Sequence, residues 1–243
     1  MQFDGTQEEI GVGAQAIVYR YKGFAYKVYK ASYRTDWIQF EKQQQIAVNE
    51  AGLCHVKYYD TEDDHIIKMD LVEGDTLEKK LREGYMGGFE LLTKAFRKVH
   101  GAKCDNVNMP QLIYTATMGL NDEDRMLVEP ILDRMFRNMP KCICHLDLHF
   151  LNIMIPSGTP GQIAGDSLAD IDDYVIIDWM NARIAPAVFD YARTYVILEE
   201  FAKEILEDYM NSIAADLAAL KIIESDFADA VTVCRILRKQ EKK

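Results

Sequence analysis

The chain has 243 residues, of which 28 are Lys or Arg and 39 are Asp or Glu, so its formal net charge is −11 at neutral pH. With 49% hydrophobic and 28% charged residues, the composition is typical of a globular protein and excludes a largely disordered chain. The acidic balance argues against a nucleic-acid partner, and no apolar run approaches the roughly 20 residues that would span a membrane.

The first residues and the cysteines bear on cellular location. The sequence begins without the basic flank and apolar stretch of a secretory signal peptide. The five cysteines are widely spaced, apart from Cys142 and Cys144, and form neither a disulfide framework nor a zinc ribbon. Because these two alternate with Ile143 along a predicted strand, we interpret them as packing residues. We therefore expect a cytoplasmic protein with reduced thiols.

Residues 1–70 predict a small β-rich lobe with one long helix. Runs of aromatic and β-branched residues predict strands at Ile10–Gly13, Ile17–Tyr21, Phe24–Tyr29, Val56–Tyr59 and His65–Met69. A polar helix is predicted from Trp37 to about Ala51, with Thr35-Asp36 as its cap and Gly52 as its end. A chain of this length can bury a sizeable core, either as one domain or as a two-lobed unit.

The second part of the chain, residues 75–243, is predicted to be mainly helical, and residues 71–74 form the boundary between the lobes. Asp75 and Glu78 resemble a capping box. Apolar periodicity predicts helices at 88–100, at Leu127–Phe136 and from Val188 onward, and the basic end Arg235–Lys243 is expected to fray. Short strands are predicted within Cys142–Ile155 and at Val175–Ile177. Residues 102–121 are interpreted as a loop, and Ser157–Asp173 as a mobile surface loop.

Three polar residues follow or precede apolar strands at a spacing that suits phosphoryl transfer. Asp147 and Asn152 lie five residues apart in a loop that leads into an apolar strand, so both side chains can point into one site. Asp178 ends a second apolar strand 26 residues later. Such a reaction needs a carboxylate to orient the attacking hydroxyl and oxygen ligands to hold Mg²⁺ on the phosphates.

These residues resemble a known family. The stretch from His145 to Asn152 is similar to the H-G-D-x-H-x-x-N catalytic loop of aminoglycoside phosphotransferases and choline kinases. Asp178-Trp179, followed by Pro186 and Asp190, resembles the same family's magnesium-site pattern. The resemblance covers roughly residues 8 to 200 in element order. It implies an α+β, two-lobed protein-kinase-like fold and a kinase that transfers the γ-phosphate of ATP, with GTP as the alternative donor, to a hydroxyl of a small molecule.

The resemblance also implies roles for individual residues. Asp147 would be the catalytic residue that orients the hydroxyl, and Asn152 and Asp178 would hold Mg²⁺. Lys27 would contact the phosphates and pair with a helix glutamate, for which we favour Glu41 over Glu50. The residues implied to bind the nucleotide are Gly11, Gly13, Val18, Ala25, Lys27, Glu41 and, in the hinge, Asp70 and Val72.

Further residues are given supporting roles. Asp190 would hold the catalytic loop through backbone N–H groups, His145 would be structural, and His149 would either touch the phosphates or pack. A cationic substrate would suit the acidic C-terminal lobe. The carboxylates that could line such a cleft are Glu199, Glu200, Glu204 and Asp208.

The sequence departs from the family at three places. Leu146 replaces a small or basic residue, Phe150-Leu151 replaces Pro-Gly, and Ala16 stands where a protein kinase has its third glycine. We therefore expect phosphate to be held less by backbone N–H groups and more by Lys27 and the metal.

Two alternatives remain open. A pseudokinase that binds nucleotide and signals to a partner is suggested by Leu146 and the thin glycine loop. An atypical protein kinase is suggested by Lys30, Tyr33 and Arg34 after the strand lysine. The sequence leaves the oligomeric state open.

Overall fold

An antiparallel sheet of five strands, in the order β1-β2-β3-β5-β4, forms the N-terminal lobe. The computed structural model describes residues 3–159 and 166–241. The strands are β1 Glu8–Val12, β2 Ala16–Tyr21, β3 Phe24–Tyr29, β4 Tyr58–Tyr59 and β5 Ile66–Asp70. Lys22 and Gly23 both have positive φ between β2 and β3, as a two-residue hairpin turn with the right twist requires.

One long helix, α1 Thr35–Glu50, accompanies this sheet. It begins before the predicted Trp37, and its N-cap is Arg34, which makes no side-chain cap bond. Asp36 instead accepts a hydrogen bond from the Trp37 N–H. The buried face of α1 carries three polar residues, Glu41, Gln44 and Gln45, beside apolar ones. Buried polar side chains need hydrogen-bond partners. Gln45 donates to the Val56 carbonyl and Gln44 to the Ala182 carbonyl, whereas the partners of Glu41 lie at the candidate site.

The C-terminal lobe is mainly helical. Its helices are α2 Leu77–Arg82, α3 Gly88–His100, α4 Leu112–Thr115, α5 Asp122–Asn138, α6 Val188–Phe201, α7 Leu206–Ala219 and α8 Glu224–Glu241. The predicted helix at 88–100 is confirmed. Its apolar residues lie in the main hydrophobic core, which also contains Ile143, Ile153 and Ile176. None of the described helices is both long and apolar enough to cross a membrane.

Five short strands position the segments of this lobe that carry Asp147, Asn152 and Asp178. They are β6 Gly74–Thr76, β7 Lys141–Cys144, β8 Ile153–Pro156, β9 Val175–Ile176 and β10 Arg183–Pro186. Strands β6, β8 and β9 form one antiparallel sheet, and β7 pairs with β10. The predicted lobe boundary at 71–74 falls at the end of β5 and the start of β6, and it stays a prediction.

Two helix starts differ from the sequence predictions because other residues cap them. Helix α5 begins at Asp122 rather than Leu127, since the Asn121 side chain accepts from the Asp124 N–H. Pro130 lies inside this helix. Helix α2 is capped by Thr76, which accepts from the Lys79 N–H, and Asp75 is not its cap. The interval 102–121, predicted as a loop, contains the short helix α4.

The basic C-terminal segment is helical rather than frayed as far as Glu241. Arg235 binds the carboxylate of Glu199 on α6 through two nitrogens, at 2.9 and 2.7 Å. Arg238 contacts Glu200 on the same helix. The prediction of fraying was wrong for 235–241 because these ion pairs hold α8 against α6; residues 242–243 lie outside the described part.

The predicted mobile loop, Ser157–Asp173, is packed where it is described. The Met86 N–H donates to the Asp166 carbonyl, and the Leu168 N–H donates to the Met86 carbonyl. Leu168 and Ile171 are buried in the main core. A mobile surface loop is therefore wrong for 166–173, because two apolar side chains fix that part; residues 160–165 lie outside the described part.

The close approach of β6 to β8 gives a test of the fold. Gly74 has φ near +159°, and a Cβ there would lie 2.2 Å from the Ile155 carbonyl oxygen. We expect Gly74→Ala to lower the free energy of unfolding by about 3 kcal/mol or more. The control is Gly84→Ala, where φ is +93° but a Cβ meets no atom within 4 Å; its cost should be about 1–2 kcal/mol. Equal losses in urea denaturation would contradict the close approach.

Candidate active site

A lysine from the N-terminal lobe lies between two carboxylates. The Nζ of Lys27, on β3, is 2.7 Å from Oε1 of Glu41 on α1. The same nitrogen is 3.5 Å from Oδ1 of Asp178, which belongs to the C-terminal lobe. Glu41 is almost fully buried, whereas 43% of the Asp178 side chain is exposed. The structure thus pairs Lys27 with Glu41 and leaves one carboxylate of the cluster open to a ligand.

The electrostatics of this cluster keep Lys27 and Asp178 charged. Burial disfavours the charge of Lys27, but the carboxylates of Asp178 and Glu41 outweigh it, so the pKa of Lys27 is raised. The charge of Lys27 in turn lowers the pKa of Asp178, although burial opposes this. The cluster therefore presents a carboxylate anion and an ammonium cation side by side near neutral pH, a combination that suits a phosphate–metal complex.

Tyr29 is a member of the site that the sequence predictions missed. Its hydroxyl donates to Oε2 of Glu41 at 2.5 Å. Burial, and then the charge of Glu41, raises the pKa of Tyr29, so the phenol stays protonated as a donor. Tyr29 lies two residues after Lys27 on the same strand, and the period of two would have placed both side chains on one face. That signal was available in the sequence.

Asp178 is fixed by an unusual backbone conformation. Its φ and ψ are both 63°, in the left-handed region, two residues after the last residue of β9 and before a 3₁₀ turn at Trp179–Asn181. Trp179 is buried and donates from its ring nitrogen to the Ile176 carbonyl, so its side chain belongs to the core. A non-glycine residue in this region costs of order 1–3 kcal/mol, and such strain concentrates at functional sites.

The carboxylate of Asp190 holds the backbone of the loop that carries Asp147. The two carboxylate oxygens of Asp190 accept from the backbone N–H groups of His145 and Leu146, at 3.0 and 2.8 Å. Oδ2 also contacts Nε2 of His100 at 2.9 Å. The predicted supporting role of Asp190 is confirmed by these contacts. His145 is fully buried, and its Nε2 lies 3.0 Å from the Ile177 carbonyl, which ties the loop to the segment of Asp178.

Leu146 fits the loop despite its departure from the family pattern. It adopts φ of 58°, and its side chain is buried in a hydrophobic core that also contains Leu132 and Phe189. Phe150, another departure, packs edge-to-face on Phe89 with ring centroids 5.3 Å apart. A short 3₁₀ turn at Phe150–Asn152 then leads into β8. These contacts pack Leu146 and Phe150, whereas the Leu151 side chain is exposed.

Asn152 and Asp147 are neighbours in space. The Asn152 Nδ2 donates to the Asp147 carbonyl at 2.8 Å and lies 3.3 Å from its Oδ2. Because Nδ2 makes these bonds, Oδ1 of Asn152 is left as an oxygen ligand, and it has no hydrogen bond within the described part of the chain. The Ile177 N–H donates to the Asn152 carbonyl, which places Asn152 beside the strand that ends at Asp178. An amide and a carboxylate oxygen form a donor set that Mg²⁺ accepts.

His149 lies beside this pair. Its Nε2 is 3.9 Å from Oδ2 of Asp147, and its Nδ1 accepts from the Leu151 N–H. Burial lowers the pKa of His149, which favours the neutral imidazole. The structure therefore gives His149 a local partner, and contact with phosphate stays a prediction.

The glycine loop joins β1 to β2. Gly11 is opposite Val18 in the strand register, and Val18 is opposite Lys27. The Gly13 N–H donates to the Ala16 carbonyl, so it is used inside the turn. Lys30 anchors the same turn by donating to the Ala14 carbonyl at 2.6 Å. Ala25, opposite Met69 on β5, is buried in the sheet.

The hinge residues line a separate cavity. Asp70 and Val72 border a space of about 530 Å³ together with Gly23, His55 and Val175. Lys27, Asp147, Asn152 and Asp178 do not line it. The Asp70 carboxylate accepts from the Lys57 N–H and the Tyr59 hydroxyl, so its side chain supports the sheet edge. Contact of the Asp70 and Val72 backbone with adenine stays a prediction.

Two carboxylates proposed for a cationic substrate are neutralised. Glu199 and Glu200 form ion pairs with Arg235 and Arg238 of α8. They hold two helices together, and their charge is compensated. The acidic net charge of the lobe therefore does not by itself indicate a cationic substrate.

The chain is similar to a known protein family. Residues 114–223 match the model of the phosphotransferase enzyme family. No curated protein sequence matches the chain.

Several solved structures have the same fold. The aminoglycoside phosphotransferase APH(3'')-Id from Streptomyces rimosus has a TM-score of 0.62 and 16% identity, over 96% of this chain and 93% of that one. It is also solved in complex with ADP and streptomycin. A choline/ethanolamine kinase family protein from Mesorhizobium loti has a TM-score of 0.59 and 15% identity, over 97% of this chain and 78% of that one. The choline kinase LicA from Streptococcus pneumoniae has a TM-score of 0.58 and 14% identity, over 98% of this chain and 86% of that one.

These matches confirm two predictions. The resemblance to aminoglycoside phosphotransferases and choline kinases is confirmed by the family match and the structural neighbours. The two-lobed protein-kinase-like fold is also confirmed. At these identities the structural neighbours establish the fold alone, so the roles of individual residues rest on the geometry of this chain.

The position of Asp190 gives a test that needs no substrate. Asp190→Asn keeps the shape but leaves one acceptor oxygen for two N–H donors, so a buried donor loses its partner. We expect a loss of about 2–4 kcal/mol in unfolding free energy and faster hydrogen exchange at the His145 and Leu146 amides. The control is Asp229→Asn, in a half-exposed pair with Arg134, which should cost at most about 1 kcal/mol. Unchanged exchange at both amides would contradict the role of Asp190.

Proposed function

Because residues 114–223 match the phosphotransferase enzyme family, we propose that the chain is an ATP-dependent kinase that transfers the γ-phosphate to a hydroxyl of a small molecule. The observation that carries the proposal is the cluster of Lys27, Glu41 and Asp178, at 2.7 and 3.5 Å, beside the bonded pair Asp147 and Asn152. We expect it to act in the cytoplasm, where ATP and Mg²⁺ are present and thiols stay reduced.

The proposed division of labour follows from charge and position. Lys27, oriented by Glu41, would bind phosphate oxygens through its ammonium group. The Oδ1 of Asn152 and the carboxylate of Asp178 would hold Mg²⁺, which would neutralise charge on the phosphates when bound. Asp147 would accept a hydrogen bond from the substrate hydroxyl and orient it in line with the γ-phosphate. Phosphoryl transfer depends mainly on such positioning and charge stabilisation.

The features that suggested other functions have local explanations. Leu146 is accommodated by a left-handed backbone and a buried side chain, which weakens the case for a pseudokinase. Tyr33 stacks on Tyr29 with centroids 5.2 Å apart, and Lys30 anchors the glycine loop. Arg34 pairs with Asp36. The residues that suggested an atypical protein kinase thus support the fold of the N-terminal lobe.

The acceptor is best sought among small hydroxyl compounds of different charge. The structural neighbours include choline kinases and a protein solved with ADP and streptomycin. A cationic substrate remains within the proposal, but Glu199 and Glu200 are not available for it. The screen should therefore include choline, ethanolamine, aminoglycosides and uncharged sugars, with ATP and GTP as donors and a peptide panel as the contrast.

Binding of the nucleotide should depend on Mg²⁺ and on Asp178. At one hundred times its Kd, Mg·ATP should stabilise the fold by about 2.7 kcal/mol, measured as a rise in melting temperature. Asp178→Asn should remove most of the Mg²⁺ dependence, because a full negative charge leaves the metal site. Asp172→Asn, at an exposed aspartate paired with Lys94, is the control. If neither Mg·ATP nor Mg·GTP shifts the melting curve of the wild type, the kinase proposal fails.

A further inference from the structure

A second cluster of side chains of the kinds that bind metal ions lies next to the catalytic loop. Within residues 3–159 and 166–241, His100, Cys142 and Cys144 form a group whose ligand atoms all lie within 4.8 Å of one another. His100 is the last residue of α3, and both cysteines are on β7. The strand alternation places Cys142 and Cys144 on the same face. None of the three is among the residues proposed for phosphoryl transfer.

The spacing of the sulfurs matches a tetrahedral metal site. The Sγ atoms of Cys142 and Cys144 are 3.8 Å apart. Two thiolates bound to one Zn²⁺ at about 2.3 Å, with a tetrahedral angle between them, are separated by about 3.8 Å. A histidine nitrogen at about 2.0–2.1 Å from the same ion would lie about 3.5 Å from each sulfur, so a ring nitrogen at the 4.8 Å limit would have to move by about 1.3 Å.

An unpartnered nitrogen supplies a second, independent observation. The Nδ1 of His100 is buried and has no hydrogen-bond partner among the residues that the structure describes, and an unsatisfied buried polar atom is costly. The other ring nitrogen, Nε2, is 2.9 Å from Oδ2 of Asp190. Zinc-binding histidines commonly bind the metal through one nitrogen while the other is held by a carboxylate. His100 has that second partner already in place.

The thiols become metal ligands when they lose their protons. Both lie within hydrogen-bond reach of the Ala185 carbonyl, at 3.6 and 3.5 Å, and the thiolate is the form that binds metal. Cys142 and His100 are partly exposed, whereas Cys144 is buried, so an ion can reach the cluster from one side. The sequence prediction made these cysteines packing residues because it could not place His100 beside them.

We propose that His100, Cys142 and Cys144 form a binding site for Zn²⁺, with His100 ligating through Nδ1 and the fourth position open to water. Binding of the ion displaces both thiol protons to solvent. The site is distinct from the magnesium site, whose proposed oxygen ligands belong to Asn152 and Asp178. Soft thiolate ligands select Zn²⁺ over Mg²⁺.

The site is connected to the catalytic loop by covalent and hydrogen bonds. Cys144 directly precedes His145, and Asp190 contacts both His100 and the N–H groups of His145 and Leu146. An ion that fixes His100 and Cys144 therefore also fixes two attachment points of the loop. Zn²⁺ should slow hydrogen exchange at the His145 and Leu146 amides.

The test is a zinc titration of the reduced full chain against a chromogenic chelator. We expect one Zn²⁺ per chain, protection of the partly exposed Cys142 thiol from a thiol reagent, and, with Co²⁺ as a probe, a thiolate-to-metal charge-transfer band. Cys142→Ser should weaken binding by at least about 100-fold. Cys54→Ser, at a buried free cysteine outside the cluster, is the matched control and should bind as the wild type does.

The outcomes separate the site from a packing cluster. Absence of saturable binding by the wild type, or equal affinity in Cys142→Ser and the wild type, would overturn the proposal. If Cys142→Ser does not fold, as judged by circular dichroism, thiol protection in the wild type decides the question. Zinc that leaves the Cys142 thiol as reactive as it is without zinc would then contradict the site, whatever the phosphotransferase activity of the chain.

Discussion

A lysine that is charged and largely buried between the lobes constrains the whole structure. Lys27 needs two carboxylates to offset the loss of hydration, and it obtains one from α1 and one from the C-terminal lobe. Glu41 is itself buried and needs both Lys27 and Tyr29. Asp178 then has to occupy a left-handed conformation at the end of β9. Each charged group is held by its contact with an oppositely charged or hydrogen-bonding neighbour. These contacts fix the geometry in which the two lobes meet.

Asp190 is the corresponding constraint within the C-terminal lobe. Its carboxylate satisfies two loop N–H groups and contacts His100, which joins α3, the catalytic loop and α6. The same residue contacts one ligand of the proposed zinc site and the backbone that precedes Asp147. A buried carboxylate with several hydrogen-bond partners makes its surroundings rigid, because any movement of the carboxylate would break all of these hydrogen bonds.

Much of this architecture could be predicted from the sequence, for identifiable reasons. Strands β2 and β3 and helix α3 carry strong periodic patterns, and the spacing of Asp147, Asn152 and Asp178 pointed to a single site. The start of α5 was missed because a cap at Asn121 lies outside the apolar pattern. The order of α8 was missed because it depends on Arg235 and Arg238 meeting Glu199 and Glu200, contacts that no local pattern encodes. The cluster of His100 with Cys142 joins residues 42 positions apart, a separation that the fold alone closes.

The central claim is that Asp147 orients the attacking hydroxyl, and one comparison tests it most directly. Mg·ATP affinity by isothermal titration and turnover of the acceptor found in the screen are measured for the wild type, for Asp147→Asn and for a control, Asp133→Asn, at an exposed aspartate of α5. Asp147→Asn keeps the shape but loses the charge and the capacity to accept a proton. We predict nearly unchanged affinity with turnover lower by about 10²-fold or more, and wild-type behaviour in the control. Normal affinity together with turnover within a few-fold of the wild type would contradict the account.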